Sequence, residues 1–449
     1  MKRGNIIFLL IMTLATLPRQ KAQAQKMDLK GCLEYALKNS RSLKKAKLDF
    51  DKNEGKLKEV LASGLPQINI EGDYKQHLKL PTTILPGALT GNPDADDISV
   101  QMGKEYNATA TAKATQLLYS QSFLYAVKAA KESRELYALM LDRAEEDIIF
   151  DISTQFLKIG QLTEQKEFVD QSLKTLNESR RSTALRYEQG FAKSTDVKRI
   201  DVNLGRTVAK GKDLEREISR MHNLVKFMIG MPIDADLTLD FSATKDAPLL
   251  VSDAQLPAFS GFTNIKTLRT QENLYGIKIK EINSGYMPTL SAYASAGWQA
   301  QRDEFNFTSG SEPWFGMATV GLSLKIPVFD GFEKKARVTQ AKLERDEVSL
   351  DILDAQENIR LEHKNALDGL SIAKDQKANA YANMNLAEEV YGQTRIEYRQ
   401  GLTPLTELLQ TETDWREASM EFAKQNFQTR IAELQLIKAQ GRLKELSGK

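Results

Sequence analysis

The chain contains the hexapeptide Arg186-Tyr187-Glu188-Gln189-Gly190-Phe191 and, 211 residues later, the related hexapeptide Glu397-Tyr398-Arg399-Gln400-Gly401-Leu402. Glycine readily adopts the left-handed backbone conformation that ends many helices, so Gly190 and Gly401 each predict a helix C-terminus. The dipeptide Thr403-Pro404 follows at once and predicts an N-cap residue and a first helical position. The sequence therefore predicts two helix hairpins that share one kind of turn.

The same separation of 211 residues relates further positions on both sides of the turns. It pairs Thr195-Asp196-Val197 with Thr406-Glu407-Leu408, and Asp201 with Glu412. Each half of the chain has the same order: helix, strand, loop, strand, long helix, tight turn, helix. An internal repeat of this length indicates a duplicated structural unit.

Four segments alternate polar and apolar residues with a period of two. They are Gln67–Tyr74, Tyr106–Ala114, Leu290–Trp298 and Trp314–Ile326. Alternation over about ten residues is what a tilted transmembrane strand requires. Two soluble β-hairpins with one solvent-exposed face would show the same alternation, because the sequence signal of a single transmembrane strand is weak.

Long proline-free stretches predict that the rest of the chain is helical. Shorter helices are expected at 28–62 and 264–284, and very long ones, roughly 100 Å each, at 121–189 and 332–399. Each long helix is followed by another of about 40 residues. Small apolar residues keep close to a seven-residue spacing along the second long helix, which predicts a left-handed supercoil against partner helices. The residues with this spacing are Val338, Ala341, Val348, Ile352, Ala355, Ile359, Ala366 and Ala373.

The first residues predict an export signal. Lys2 and Arg3 precede an apolar run, and Ala22-Gln23-Ala24 has the small-x-small pattern of a signal peptidase site. We therefore expect residues 1–24 to be a signal peptide. Cys32 lies eight residues beyond the predicted cleavage site, so it is not expected to be a lipidated first residue.

The repeat and the signal together predict the domain organisation. We expect a first structural repeat at 25–230, an irregular linker at 231–263 and a second repeat at 264–449. The 449 residues are 41% hydrophobic and carry 62 basic against 60 acidic side chains. This balance excludes wholesale disorder and gives no basic field that would suit nucleic acid. A single cysteine excludes an internal disulfide and any cysteine-rich zinc module.

The number of strands limits the possible assembly. Two repeats supply four strands, and about eight is the practical minimum for a closed membrane barrel. The chain would therefore have to share a barrel with copies of itself. Two copies would give eight strands filled by side chains, and three would give twelve strands with a conducting lumen.

The chain resembles the TolC-like outer membrane efflux proteins over essentially all of its expected mature length, roughly Leu29 to Leu446. The resemblance rests on the duplicated layout, the turns at Tyr187 and Tyr398, and three further motifs. These motifs are Gly64-Leu65-Pro66, Tyr286-Met287-Pro288 and Lys325-Ile326-Pro327-Val328-Phe329-Asp330-Gly331.

The resemblance implies a fold, a location and partners. The fold would be an α+β membrane protein, a homotrimer with a twelve-stranded transmembrane β-barrel in outer-membrane lipid. A twelve-helix α-helical barrel would continue it across the periplasm. The function would be passive exit of substrates supplied by a periplasmic adaptor and an inner-membrane pump of the RND or ABC type.

The resemblance also implies a gate at the periplasmic helix tips. Asp196 and Tyr398 fall on positions that link neighbouring helices in the family, and Glu407 matches an acidic ring. Thr403 replaces an arginine and Gln410 replaces a second acid, so a salt-bridged lock is not implied. A solvated position on a helix surface is the alternative for each of these residues.

No pattern in the sequence indicates an enzyme or a cofactor. The histidines His77, His222 and His363 are scattered and match no metal-binding spacing. A soluble periplasmic coiled-coil adaptor or scaffold remains the alternative function, and it would show the same helical periodicity. A periplasmic hydrolase is a third possibility, without a supporting motif.

Overall fold

A computed structural model describes residues 25–86, 96–245, 249, 255–308, 310 and 312–448. The expected signal peptide at 1–24 lies outside the described residues, as does part of the expected linker. Within the described part, no helix is long and apolar enough to cross a membrane.

Eight α-helices and eight strands make up the described chain. The helices are α1 Leu29–Asn39, α2 Arg41–Ala62, α3 Gln121–Glu188, α4 Ser194–Ile229, α5 Ser242–Lys245, α6 Thr263–Ser284, α7 Glu333–Gln400 and α8 Leu405–Ala439. The strands are β1 Gln25–Met27, β2 Gln67–Gln76, β3 Thr82–Leu85, β4 Ile98–Gln101, β5 Tyr106–Ser120, β6 Leu237–Leu239, β7 Thr289–Arg302 and β8 Phe315–Lys325.

These elements confirm the four predicted strands and both long helices, and they correct one helix. The helix expected at 28–62 is interrupted at Ser40, where the backbone is extended (φ −54°, ψ 130°). The interruption allows the end of α1 to approach Gly230, which has a left-handed φ of +80°. A Cβ atom at Gly230 would collide with the backbone of Asn39. This contact joins segments about 190 residues apart, so local sequence did not reveal it.

Contacts divide the chain into two compact units, each built from segments of both repeats. The first unit consists of the described residues within 1–49, 138–267 and 352–449, and the second of those within 50–137 and 268–351. The first unit has a core of α1, α3, α4 and α8 that includes fully buried Phe156, Ile229 and Phe427. Burial raises the pKa of the Cys32 thiol in this core to about 12.

The second unit contains an antiparallel four-stranded sheet in the order β2-β5-β7-β8. The central pair β5 and β7 comes from different repeats, with Tyr106 opposite Arg302 and Ser120 opposite Thr289. The register fixes which side chains share a face. One face is apolar and carries Ile68, Ile70, Tyr74, Ala108, Ala110, Ala112, Ala114, Ala292, Ala294, Ala296, Trp298, Ala318, Val320, Leu322 and Leu324. The other is polar and carries Asn69, Glu71, Asp73, Lys75, Asn107, Thr109, Thr111, Lys113, Ser291, Ser295, Gln299, Thr319 and Ser323.

The predicted seven-residue spacing matches burial along α7. Ala341, Ile359, Ala366 and Ala373 are buried, and Ala380 extends the series. Ala355 is half-buried and packs against a cluster formed by Phe262, Ile265 and Ile359. Small residues at these positions let the neighbouring helices approach closely.

Candidate functional site: the helix hairpins of the first unit

The two hairpin turns have the same backbone geometry. Gly190 and Gly401 have φ angles of +80° and +81°, which favour glycine. In the first turn, the N–H groups of Gly190 and Phe191 donate to the carbonyls of Tyr187 (3.0 Å) and Arg186 (2.7 Å). The second turn repeats this pattern between the same positions of its hexapeptide. Both turns are Schellman motifs, so the sequence repeat is also a structural repeat.

The helices after the turns begin differently. At the start of α4, the Asp196 carboxylate accepts a hydrogen bond of 3.3 Å from the backbone N–H of Lys193. At the start of α8, Pro404 is the N-cap, not the first helical residue, so the helix begins one position later than predicted. Thr403 therefore precedes the N-cap, and its hydroxyl donates to the Glu397 carboxylate at 2.8 Å.

Tyr398 is held by two side chains of α3. Its hydroxyl forms a hydrogen bond of 2.8 Å with the Thr183 hydroxyl. The Arg186 guanidinium lies over its ring, 5.3 Å from the ring centre. Arg186 also donates to the carbonyls of Tyr398 (3.2 Å) and Arg399 (2.7 Å) at the C-terminal end of α7. A cation at this end bonds to the last carbonyls of the helix and complements the helix dipole. We call Thr183, Arg186 and Tyr398 the tip clasp.

Sequence reasoning missed Thr183 and Arg186. The available signal was a charge difference between the two hexapeptides, because Arg186 stands where the second repeat has Glu397. The two tyrosines of the hexapeptides also differ in their burial. Tyr398 is half-buried, whereas its repeat mate Tyr187 has 49% of its surface exposed.

The other expected gate residues are accessible in the isolated chain. Glu407 is exposed in the first turn of α8, where the helix dipole favours a carboxylate. Asp196 is half-buried in the first turn of α4. The structure places Asp196 on its own helix start and Tyr398 in the tip clasp.

Both turns expose a large apolar side chain. Phe191 is 82% exposed and Leu402 is 73% exposed, and the two residues are repeat mates. Neither side chain supports the core of its own chain. Repetition of this feature at equivalent positions suggests a surface that contacts another molecule.

A four-helix core lies behind the turns. Leu176 of α3, Ile200 of α4, Tyr391 of α7 and Trp415 of α8 belong to one buried cluster. The rings of Tyr391 and Trp415 stack with centres 5.5 Å apart.

A buried carboxyl group lies beside this core. Glu412 is only 2% exposed and accepts a hydrogen bond from the Ser172 hydroxyl. Burial raises the pKa of the Glu412 carboxyl above its ordinary value of 4.5, and the nearby Arg416 partly opposes this rise. Among the described residues, no group of histidine, cysteine and acidic side chains has the geometry of a metal site.

Comparison with known proteins gives matches over both repeats. The outer membrane efflux protein family matches residues 32–224 and 265–442. Outer membrane efflux protein BepC of Brucella suis biovar 1 (strain 1330) is 19% identical over 301 residues, which are 67% of this chain. The match covers 64% of BepC, so the chain spans less than two thirds of that relative's length.

Solved structures share the fold. The outer membrane protein VceC from Vibrio cholerae gives a TM-score of 0.68 at 16% identity, covering 92% of this chain and 96% of VceC. The Campylobacter jejuni CmeC outer membrane channel gives 0.69 at 15% identity, covering 92% of this chain and 85% of CmeC. The matches in both repeats, with this shared fold, show that the chain belongs to the outer membrane efflux protein family.

Proposed function

We propose that three copies of the chain form the outer-membrane exit duct of a tripartite efflux or secretion system. The duct passively conducts substrates from an inner-membrane pump and a periplasmic adaptor to the exterior, without enzymatic turnover. The observation that carries this proposal is the four-stranded sheet with one apolar and one polar face.

The exposed apolar face of the sheet supports a membrane location. Ile70 and Val320 are 81% and 85% exposed in the single chain. Exposed apolar side chains in such numbers require a partner or lipid. Within the described residues, β2 and β8 each pair on one side only. Three copies joined at these edges would give twelve strands, with the apolar face toward lipid and the polar face toward the lumen.

An exposed stripe on α7 supports packing between copies. Leu361, Ile372, Leu386 and Val390 are exposed, and their spacings of 11, 14 and 4 residues place them on one side of the helix. Each copy contributes α3, α4, α7 and α8, so a trimer would supply twelve helices. Each repeat, at 25–230 and 264–449, would then supply two strands and two of these helices to the assembly, and the linker at 231–263 would join the repeats.

The helix tips would form the gate and the docking surface. Threefold symmetry would bring three copies of Glu407 around one axis, with Asp196 and Tyr398 on adjoining helices. The exposed Phe191 and Leu402 of the turns are suited to contact a periplasmic adaptor. Three chains with two turns each would present six such side chains.

A pair of matched variants on one strand tests the membrane location. Val320 lies on the apolar face of β8, and its neighbour Thr319 lies on the polar face. A charge at a lipid-facing midplane position costs roughly 2–4 kcal/mol for basic residues and less for acidic ones, whereas a lumen position tolerates it. We expect Val320→Lys to reduce membrane insertion strongly and Thr319→Lys to leave it intact. Equal insertion of the two variants, or recovery of the wild type without detergent, would favour the soluble adaptor.

A further inference from the structure

A polar cleft lies between α3, α7 and α8 in the first unit. It consists of two adjoining cavities of about 260 Å³ and 280 Å³, which share Glu362, Lys438 and Ala439 in their walls. The cleft is remote from the hairpin turns, because Asp147 in its wall lies about 60 Å along α3 from the end of that helix at Glu188. It is therefore a separate feature of the first unit.

The polar cleft contains charged side chains of both signs. Carboxylates come from Glu146 and Asp147 of α3 and from Glu362 of α7, and cations come from Arg143 of α3 and Lys438 of α8. In the described part of the chain, none of these five side chains forms a salt bridge. All except Glu146 are exposed, so a ligand can reach them. Opposite charges that share a cavity without neutralising each other suit a ligand that carries both charges.

The acidic side of the polar cleft favours an added positive charge. Glu146 is half-buried and accepts a hydrogen bond of 2.6 Å from the Thr263 hydroxyl. Burial raises the pKa of the Glu146 carboxyl above its ordinary value of 4.5, and the charges of Asp142 and Asp147 raise it further. The hydrogen bond from Thr263 and the charge of Lys444 partly oppose this rise. An ammonium group beside these carboxylates would stabilise their ionised forms.

The basic side of the polar cleft depends on Lys438, which lines both cavities. Its ammonium lies 4.2 Å from the centre of the Phe150 ring, a contact that orients the charge without neutralising it. The repeat mate of Lys438, 211 residues earlier, is Phe227. The end of the equivalent helix therefore packs without a charge at this position, and Lys438 is available to bind a carboxylate.

Side-chain amides line the space beside these charges. The first cavity is lined by Asn264 and Asn358, and the second by Asn365 and Gln435. Asn358 donates to the Glu362 carboxylate at 3.2 Å, and among the described residues the other three amides have no hydrogen-bond partner. An amide side chain can both donate and accept, so it matches the N–H and C=O of a peptide group.

We propose that the polar cleft binds a short peptide through its free ammonium and free carboxylate groups. The carboxylates of α3 and α7 receive the ammonium, Arg143 and Lys438 receive the carboxylate, and the side-chain amides bond to the peptide group between them. Cavities of this size suit a ligand at the small end of the range for protein binding sites. Among the described residues, no group of side chains has the geometry of a metal site, so the cleft does not favour a bare cation. The proposal does not require that the chain conducts.

Chemically blocked dipeptides test whether both charges are needed. Isothermal titration calorimetry measures binding to the purified full chain of alanylalanine, of N-acetyl-alanylalanine, which lacks the ammonium, and of alanylalanine amide, which lacks the carboxylate. We expect alanylalanine to bind about tenfold more tightly than either blocked form, because each blocked form loses one charge-assisted hydrogen bond. Equal affinity of the three peptides, or no saturable binding of alanylalanine, would overturn the proposal.

Paired substitutions locate the site of each charge. We expect Asp147→Asn with Glu362→Gln to remove the preference for alanylalanine over its N-acetyl form, because these carboxylates bind the ammonium. Arg143→Gln with Lys438→Gln should remove the preference over the amide form, because these cations bind the carboxylate. The same titrations measure both effects, and preferences that persist in both double variants would overturn the proposal.

A matched control uses a charged pair of α7 outside the polar cleft. Glu357 and Arg360 form a salt bridge with each other and line neither cavity. Glu357→Gln with Arg360→Gln should change the affinity for alanylalanine less than about threefold. A loss as large as in the cleft variants would show a general effect on the fold. Competition by Mg²⁺ at the concentration of the dipeptide would show that the carboxylates hold a cation instead, and either result would overturn the proposal.

Discussion

At the residue scale, the tip clasp gives the first prediction. Arg186 joins α3 to the last carbonyls of α7, and Thr183 forms a hydrogen bond with the Tyr398 hydroxyl. In the proposed duct, we expect Arg186→Gln with Tyr398→Phe to loosen the helix tips and raise resting conductance several-fold in planar bilayers. Arg181→Gln, at an exposed position five residues earlier on α3, is the control and should behave as wild type. Unchanged conductance in the double variant would show that these contacts do not hold the gate.

The proposed position of Glu407 at the aperture gives a second prediction. Glu407 lies in the first turn of α8, and three copies around one axis would attract cations and hinder anions. We expect Glu407→Gln to lower the preference of the channel for cations and to weaken its block by divalent ions. The stability of the trimer should barely change. Single-channel reversal potentials in a salt gradient measure this effect. Ion selectivity identical to wild type would place Glu407 away from the aperture.

Burial of Glu412 predicts a dependence on pH. Its raised pKa means that the folded chain holds the proton more tightly than the unfolded chain. The stability from this group is complete below the ordinary pKa of 4.5 and is lost as pH rises through the raised folded pKa. Glu412→Gln, which mimics the protonated form, should raise Tm at pH 8 and have little effect near pH 4. A Tm difference that stays constant across this range would contradict the assignment.

At the element scale, α7 supports a matched pair of substitutions. Ala366 is buried against Leu436 and Ala439, whereas Ala378 on the same helix is exposed. A carboxylate at the first position would be desolvated between close helices. We expect Ala366→Glu to destabilise the protein by more than about 2 kcal/mol and Ala378→Glu by less than about 0.5 kcal/mol. Thermal unfolding measures the difference, and similar values would refute the seven-residue assignment. Gln356 on the same helix is half-buried and is a poorer control.

The elements also show what sequence can and cannot predict. Helix length, strand alternation and the glycine turns depend on neighbouring residues, so the sequence alone predicted α3, α7 and the four strands of the main sheet. The interruption at Ser40 depends on contact with Gly230, and the tip clasp joins residues more than 200 positions apart. The pattern of neighbouring residues gives no information about contacts between positions so far apart in the sequence. Arg186 was visible only as a difference between repeats.

At the scale of the whole molecule, the strand connections predict an orientation. The connection from β2 to β5, at 77–105, and the connection from β7 to β8, at 303–314, lie at the same end of the sheet, opposite the strand ends that lead to helices. Residues 87–95, 309 and 311 within these loops lie outside the described part of the chain. We expect an epitope tag after Asp97 to be labelled on intact cells. The same tag after Gly448 should be labelled only once the outer membrane is broken, and the reverse pattern would refute the orientation.

The central claim is that the chain is one third of an outer-membrane duct. Within the described residues, the four-stranded sheet has two unpaired edges, and in the proposed duct further copies cover these edges and the exposed stripe on α7. Native mass spectrometry after extraction with and without detergent tests this claim most directly. The account predicts that the protein is recovered only with detergent and has the mass of three chains. A soluble monomer or dimer recovered without detergent would contradict it.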